Sequence, residues 1–342
     1  MPSIAAPLTD LLRQARALQA SDLHLRADHT PWVRRHGQLL PLHGEDGARP
    51  IGATALRDGL RSLVPPGLLA AFEAGEEVDF AESLPELGRF RVNAFAHQNG
   101  WGAVLRCLPE APPSLDSLQV PPALLTLLDG PGLLLVTGPT GSGKSTTLAA
   151  IVQHLNHHTS QHLLTLEDPI EYLHTSARCL ITQREIGPHS ASFAQGLRAA
   201  LREDPDVLLI GELRDLDTIR LGLTAAETGH LVLASLHTRH AAASVARIVD
   251  VFDAAEKILV RSQLAEALRG VLSQSLHPTP QGTGQSAVFE LLVATPAVQH
   301  LIREGKTGQL TSQMQTGAAH GMVTMAQALQ AAEAQGRVAS TR

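Results

Sequence analysis

Residues 132–146 read GLLLVTGPTGSGKST: an apolar run, a glycine-rich turn, then the opening of a helix. No other segment restricts the fold as tightly, because this order is the context in which a phosphate-binding loop works. Glycines 138, 141 and 143 let backbone N–H groups approach phosphate oxygens, and Pro139, Thr140 and Ser142 complete the loop. Lys144 reaches the β and γ oxygens, the Ser145 hydroxyl can hold Mg²⁺, and Thr146 closes the motif. The helix N-terminus adds a dipole favourable to the anion. The expected ligand is a nucleotide with Mg²⁺.

From about residue 123 the chain alternates short apolar strands with helices. GLLLVTG precedes a helix to about 156, HLLTLED a helix near 192–203, DVLLIGE a helix near 216–227, and HLVLASLHT a helix from about 241. Such alternation predicts an α/β domain whose parallel sheet is covered on both faces. After residue 253 the pattern reads as a C-terminal helical region interrupted by one loop, HPTPQGTGQS at 277–286.

The first third is different. A periodic helix (Ile4, Leu8, Leu11, Leu12, Ala15, Leu18) opens it, and SDLHLRAD alternates with Leu23, Leu25 and Ala27 on one side. WVRRHGQLLPL reads as a strand pair turned at His36-Gly37, and residues 52–75 as helical. GRFRVNAFAHQNGWGAVLRCL reads as a hairpin with its turn at Asn99-Gly100. PEAPPSLDSLQVPP, residues 109–122, holds five prolines, which have no N–H donor and fix φ. It is expected to be a semi-stiff linker between domains 1–108 and 123–342.

The bulk numbers agree with two soluble domains: 342 residues, 44% hydrophobic, 18% charged, and no apolar run near the ~18 residues of a membrane span. The N-terminus lacks a basic start followed by an apolar core, so a cytoplasmic protein is expected. A net charge of −6 argues against nucleic acid as partner, since duplex binding needs Lys and Arg to neutralise phosphate. Cys107 and Cys179 are too few for a disulfide framework, and the histidines at 154, 157, 158 and 162 read as a solvated helix end rather than a metal site.

Three further stretches carry chemistry. HLLTLEDPIEYLH, residues 162–174, ends a strand with Glu167, Asp168 and Glu171, which on the ligand-binding edge of a parallel sheet can orient water or hold Mg²⁺ through water. DVLLIGELRD places Gly211 before Glu212, where many phosphate-loop enzymes have an aspartate. TGHLVLASLHT puts His230 and His237 at opposite ends of one strand, roughly 20 Å apart at ~3.3 Å per residue. His237 is therefore the candidate for sensing the γ-phosphate, and His230 is expected to report on a neighbouring surface. Arg89, Arg91 and Arg106 lie opposite the apolar face of their hairpin, either as a solvated sheet face or as arginine fingers supplied across a subunit interface.

Together these stretches resemble the secretion-type ATPases of type II secretion and type IV pili. LREDPDVLLIGELRD (201–215) is similar to that family's signature, and 162–174 and 228–238 resemble its Asp and His boxes. SDLHL, RFRVNAF, LTAAETGHLV, RIVDVF and LIRE resemble segments of its pilus-retraction branch. The resemblance implies a RecA-like P-loop ATPase domain behind a smaller PAS-like α/β domain, with ATP between the two. It implies a homo-hexamer at the cytoplasmic face of the inner membrane, working on the platform protein of the pilus machine, alone or beside a paralogous retraction ATPase. Carried onto this chain, Lys144 and Ser145 bind phosphate and Mg²⁺, and Glu212 is the Walker B glutamate. Either Glu171 or Glu212 activates water, supported by Glu167 and Asp168. His230 and His237 match the two His-box histidines, and Arg89, Arg91 and Arg106 the fingers.

One departure concerns output rather than chemistry: AVQHLIRE (297–304) has Gln299 where the retraction branch has an arginine. The alternatives are a pilus-assembly or type II secretion ATPase, which usually carries a four-cysteine zinc element missing from this sequence, and a non-hydrolysing partner subunit. The second predicts a damaged P-loop or a lost Walker B glutamate, and both are intact.

Overall fold

Period-two patterning builds the first of two units. The computed structural model describes residues 6–35, 37–42, 50–282 and 284–340, and the chain divides into Met1–Ala111 and Pro112–Arg342. In the first unit helix α1 (Ala6–Ala17) is followed by strands β1 (Asp22–Arg26), β2 (Trp32–Arg35) and β3 (Gln38–Pro41). Helices α2 (Ala53–Leu63) and α3 (Leu69–Glu73) precede β4 (Val78–Leu84), β5 (Gly88–His97) and β6 (Gly100–Cys107). The strands form one antiparallel sheet in the order β3-β2-β1-β6-β5-β4. Alternate residues Leu23, Leu25, Phe90, Val92, Ala94 and Leu105 are buried with Leu8, Leu12, Leu56, Leu60 and Phe72 from the helices.

Two expectations change here. The β5–β6 turn is Gln98-Asn99, not Asn99-Gly100, because His97 pairs with Gly100 and closes the ladder there. Gly100 stands at φ 121°, open to glycine alone, and so starts the return strand instead of sitting in the loop. In the β2–β3 connection Arg35 pairs with Gln38, while His36 lies outside the described residues, as does Ile4 of the opening helix.

The second unit begins with α4 (Leu115–Leu118) and α5 (Ala123–Leu127), then β7 (Gly132–Thr137), α6 (Lys144–His158), β8 (His162–Glu167), β9 (Leu180–Glu185) and α7 (Phe193–Ala200). It continues with β10 (Val207–Ile210), α8 (Leu216–Glu227), β11 (Leu231–Leu236), α9 (Ala241–Asp250) and α10 (Lys257–Ala267). It ends with β12 (Leu268–Pro278), β13 (Gln285–Val293), α11 (Pro296–Arg303), α12 (Leu310–Thr316) and α13 (Met325–Ala334). The seven strands lie in the order β13-β12-β7-β11-β10-β8-β9, every neighbouring pair parallel except β12–β13.

Each residue of β7, β10 and β11 is buried, because alternate side chains enter different cores. Leu133, Leu135, Leu208, Ile210, Val232 and Ala234 pack with α7 to α10. Leu134, Val136, Val207, Leu209, Leu231 and Leu233 pack with Leu148, Ile151 and Leu155 of α6. This two-faced burial is why the strands read as unbroken apolar runs. The proline-rich stretch contributes to the second core: Ser114 Oγ caps α4 by accepting from the Ser117 N–H at 3.1 Å, and Leu115 is buried beside α6.

The C-terminal region is not all helical. Residues 268–293 form the β12–β13 hairpin, and 279–284 are its turn, with Thr283 outside the described residues. Helix α10 passes into β12 at Ala267/Leu268 with no intervening loop, so no Gly or Pro punctuation marks the change. Polar Ser273 and Gln274 are also buried there, which breaks the apolar run expected of a buried strand. Strand β9 was hidden for a related reason: it is a polar edge strand, with Leu180 exposed.

Gly270 permits the close contact of β12 with its neighbours. A Cβ there would stand 2.7 Å from Leu292 O and 2.7 Å from Leu127 Cδ1. Gly270→Ala is therefore expected to lower unfolding stability by roughly 1–3 kcal/mol in a denaturant titration; an unchanged midpoint would show that the hairpin yields without cost.

Candidate nucleotide site

Parallel pairing of β7, β11, β10 and β8 brings their carboxyl ends to one edge of the sheet, the edge where open α/β sheets bind ligands. Residues 138–143 leave β7 as the glycine-rich loop and enter α6, with Gly143 at φ 87° as its N-cap. Gly138, at φ 151°, lies so close to β12 that a Cβ would collide with Gln274 O and Ser142 Oγ. The Gln274 side chain then donates to Ser142 O, tying the loop to β12. Open space at Gly141 and the exposed Ser145 on the first turn of α6 leave the outer side of the loop free for an anion.

Lys144 folds over this loop, donating to Gly138 O at 2.9 Å and Pro139 O at 3.1 Å. Its Nζ also stands 3.3 Å from His237 Nδ1. Burial lowers the Lys144 pKa, while the negative charges of Glu212 and Glu171 act the other way. A phosphate in the cradle would relieve the first effect by supplying the missing counter-charge. The flanking hydroxyls are engaged: Thr140 Oγ1 lies 3.4 Å from His237 Nδ1, and Thr146 Oγ1 bonds Tyr172 Oη at 3.0 Å.

Glu212 follows β10 by two residues. Its carboxylate accepts from Arg214 Nε at 2.7 Å and lies 3.1 Å from His237 Nε2. Burial alone would raise its pKa, but Arg214 and His237 outweigh it and hold the carboxyl below the usual range. Arg214 also reaches Asp168, 3.6 Å away. Lys144, His237, Glu212, Arg214 and Asp168 thus form one polar chain across four strand ends.

Glu167 sits apart from that chain electrostatically. Burial pushes its carboxyl up to about 7, against hydrogen bonds from Thr165 Oγ1 (2.7 Å) and Gln183 Nε2 (3.2 Å). Glu171 is half-buried on the segment after β8, where the Ile170 N–H donates to the buried Glu185 at 3.0 Å. Gly211 has a packing reason for lacking an acid. Its N–H bonds Leu166 O at 2.8 Å, and a Cβ would come 3.1 Å from that oxygen and 3.4 Å from Glu167 Cα. An aspartate at 211 would press on the backbone that delivers Glu167.

The other sequence candidates fall elsewhere. His230 stands at the amino end of β11, its Nδ1 2.9 Å from Ala225 O, and so is not brought to the ligand edge. In the first unit Arg91 makes a two-pronged pair with Asp79 (2.6 and 3.1 Å), and Arg106 pairs with the buried Asp22 at 2.9 Å. Arg89 Nη1 donates to Ser83 Oγ at 3.1 Å. Sequence reasoning passed over Arg214, Gln274, Gln183 and Tyr172. Arg214 could have been found from its place two residues after Glu212; Gln274 belongs to the strand read as helix and gave no signal.

Two outcomes follow. A native pKa above the ordinary 4.5 means that the folded protein holds the Glu167 proton more tightly than the unfolded chain. Stability is therefore lost through this group as pH rises from about 4.5 to about 7 and levels off above. Glu167→Gln should remove that slope, so that its melting temperature gains on wild type between about pH 5 and pH 8; parallel profiles would contradict the assignment. Arg106→Ala leaves the buried Asp22 carboxylate without its cation, though Ser21 Oγ still donates to it at 2.8 Å, and should cost the protein roughly 1 kcal/mol in denaturant unfolding, the exposure of Arg106 tempering the loss. Impaired ATP turnover at unchanged stability would mark a finger instead.

Residues 83–339 match the family described as Type II/IV secretion system protein. The uncharacterized protein YggR of Escherichia coli strain K12 is 53% identical over 319 residues, spanning 93% of this chain and 95% of YggR. The type IV pilus retraction ATPase PilT of Pseudomonas aeruginosa is 44% identical, spanning 97% of this chain and 95% of its own. The crystal structure of the pilus retraction motor PilT with bound ADP matches with a TM-score of 0.88 at 41% identity, over 96% of this chain and 93% of that one. With its P-loop, acidic and histidine segments gathered on one sheet edge and this likeness running along nearly all its length, the chain belongs to the Type II/IV secretion system protein family.

Proposed function

We propose that the protein is an ATP-hydrolysing motor subunit that drives retraction of type IV pili. The observation that carries this reading is the bridging of Lys144 and Glu212 by His237 along the ligand edge, its Nδ1 3.3 Å from Lys144 Nζ and its Nε2 3.1 Å from the Glu212 carboxylate, in a chain that spans nearly the whole of PilT. Lys144 would exchange its loop carbonyls for the β and γ phosphates. The exposed Ser145 hydroxyl and the ionised Glu212 carboxylate fit a Mg²⁺ ion, which would neutralise phosphate charge. His237, held between Lys144 and Glu212, would respond to the γ-phosphate.

For activation of water the geometry favours Glu171. Glu212 is already committed to Arg214 and His237, whereas among the described residues nothing hydrogen-bonds the Glu171 carboxylate, and its charge is felt at Lys144. Glu167 and Asp168 then serve as supports, through Gln183 and Arg214 respectively. Assembly as a homo-hexamer beneath the platform protein of the pilus machine, with or without a paralogous ATPase, belongs to the same proposal. Among the described residues no helix is long and apolar enough to cross a membrane, so attachment to the inner membrane would be through such a partner.

Purified protein should hydrolyse ATP with Mg²⁺, and Lys144→Ala or Glu212→Ala should each lower turnover by about 10²-fold or more; full turnover in either variant removes the site assignment. Deleting the gene should leave cells with surplus pili that do not retract and no surface motility. Cells without pili would indicate an assembly motor.

A further inference from the structure

Glu290, on β13, belongs to none of the motifs above, yet it is one of the few carboxylates in the core, 5% exposed. It faces Ser273 across the β12–β13 ladder, and Ser273 Oγ lies 2.7 Å from Thr137 Oγ1 at the root of the phosphate loop. Each oxygen of Glu290 takes a different helix. Oε1 accepts the N–H of Ala241, the first residue of α9, at 2.6 Å. Oε2 accepts the N–H of Met325, the first residue of α13, at 3.0 Å. His240 Nδ1 lies 3.7 Å from the same Oε2.

A buried carboxylate tolerates its loss of water only when its lone pairs are filled, and two helix N-termini, each with free N–H groups and a favourable dipole, do this. The consequence is mechanical. Helix α9 starts four residues after His237, and the intervening loop is held by Thr238 Oγ1 on Ser244 Oγ at 2.6 Å and by Ser244 Oγ on Thr137 Oγ1 at 3.3 Å. Among the described residues His240, the α9 N-cap, supplies no side-chain cap of its own. Glu290 is thus the anionic cap that fixes where α9 begins, and through it the loop that aims His237 at Lys144 and Glu212.

We propose that Glu290 is a positioning residue for ATP hydrolysis and the link that couples the His237 loop to helix α13. A shift of the loop when nucleotide occupies the edge changes one arm of the carboxylate, and the other arm carries the change to α13. The link rests on the nucleotide-site reading above. The turn before α13 is independently anchored by the paired backbone bonds Leu291 N–H to Val323 O (2.9 Å) and Val323 N–H to Leu291 O (3.1 Å), and Thr324 and Gln327 form its capping box. Loss of the Glu290 arm therefore uncouples α13 without detaching it.

Three variants test this in the full-length protein: E290Q, M325P and M325A. E290Q removes the charge that strengthens both arms, and leaves one of them ending in an NH₂ group that cannot accept from a helix N–H. Proline is tolerated at the first helical position and Thr324 is already extended, so M325P deletes only the donor, besides the side chain that M325A also removes. Amide exchange, steady-state ATP turnover and fluorescent-ADP binding are read together.

In E290Q, exchange at 241–244 and 325–328 should quicken together by about tenfold. Turnover should fall by at least about tenfold, with ADP affinity within about twofold of wild type. Adding ADP to wild type should alter exchange at 325–328, and this response should vanish in E290Q and M325P but persist in M325A. Wild-type turnover in E290Q, an ADP response at 325–328 that survives in E290Q or is missing in wild type, or M325A behaving as M325P, each overturns the proposal. If wild type binds ADP yet does not hydrolyse ATP, the motor reading fails, and the exchange arms still decide the coupling.

Discussion

Parallel pairing of β7, β11, β10 and β8, with both faces of the sheet buried, is the constraint from which the rest of the second unit follows. Because the strands run the same way, their carboxyl ends converge, and four segments distant in sequence deliver the phosphate loop, Glu167, Glu212 and His237 to one edge. Because both faces are covered, the side chains along the strands are mostly apolar, and the charged candidates gather at or just past the strand ends. The two cores, one on α6 and one on α7 to α10, hold that edge rigid.

At the edge the charges balance as a chain rather than as pairs. Lys144 is destabilised by burial and draws on Glu212 and Glu171; Glu212 in turn is held ionised by Arg214 and His237. Glu167, desolvated and with the negative charges of Glu171 and Glu185 acting on it, goes the other way, its pKa pushed up to about 7. Neighbouring carboxylates are thereby set apart by their surroundings, Glu212 shifted toward the ionised form and Glu167 toward the protonated one. The absent acid at position 211 fits this arrangement, since a side chain there would disturb the strand end that presents Glu167.

What could be read ahead of the structure was whatever depended on local order. The phosphate loop announced itself by its spacing, and the alternation of Leu23, Leu25, Phe90 and Val92 marked the half-buried sheet of the first unit. Residues 268–293 were misread because a strand that follows a helix without a turn, and that carries buried Ser273 and Gln274, offers neither punctuation nor a clean period. Arg214 and Glu290 were passed over because their significance lies in partners, Asp168 and Glu212 for one and the starts of α9 and α13 for the other.

By itself the sequence determined the element types over most of the chain, the phosphate-binding loop, and the placement of His237 but not His230 at the ligand end of β11. These follow from periodicity, glycine spacing and the fixed rise of a strand, all of which act within about ten residues. Only the tertiary structure decided which carboxylates are ionised, which arginines are occupied and which buried side chain bridges two helices. Those outcomes depend on desolvation and on contacts between residues far apart in sequence, such as Thr137 and Ser273, 136 positions apart, and no local pattern encodes them.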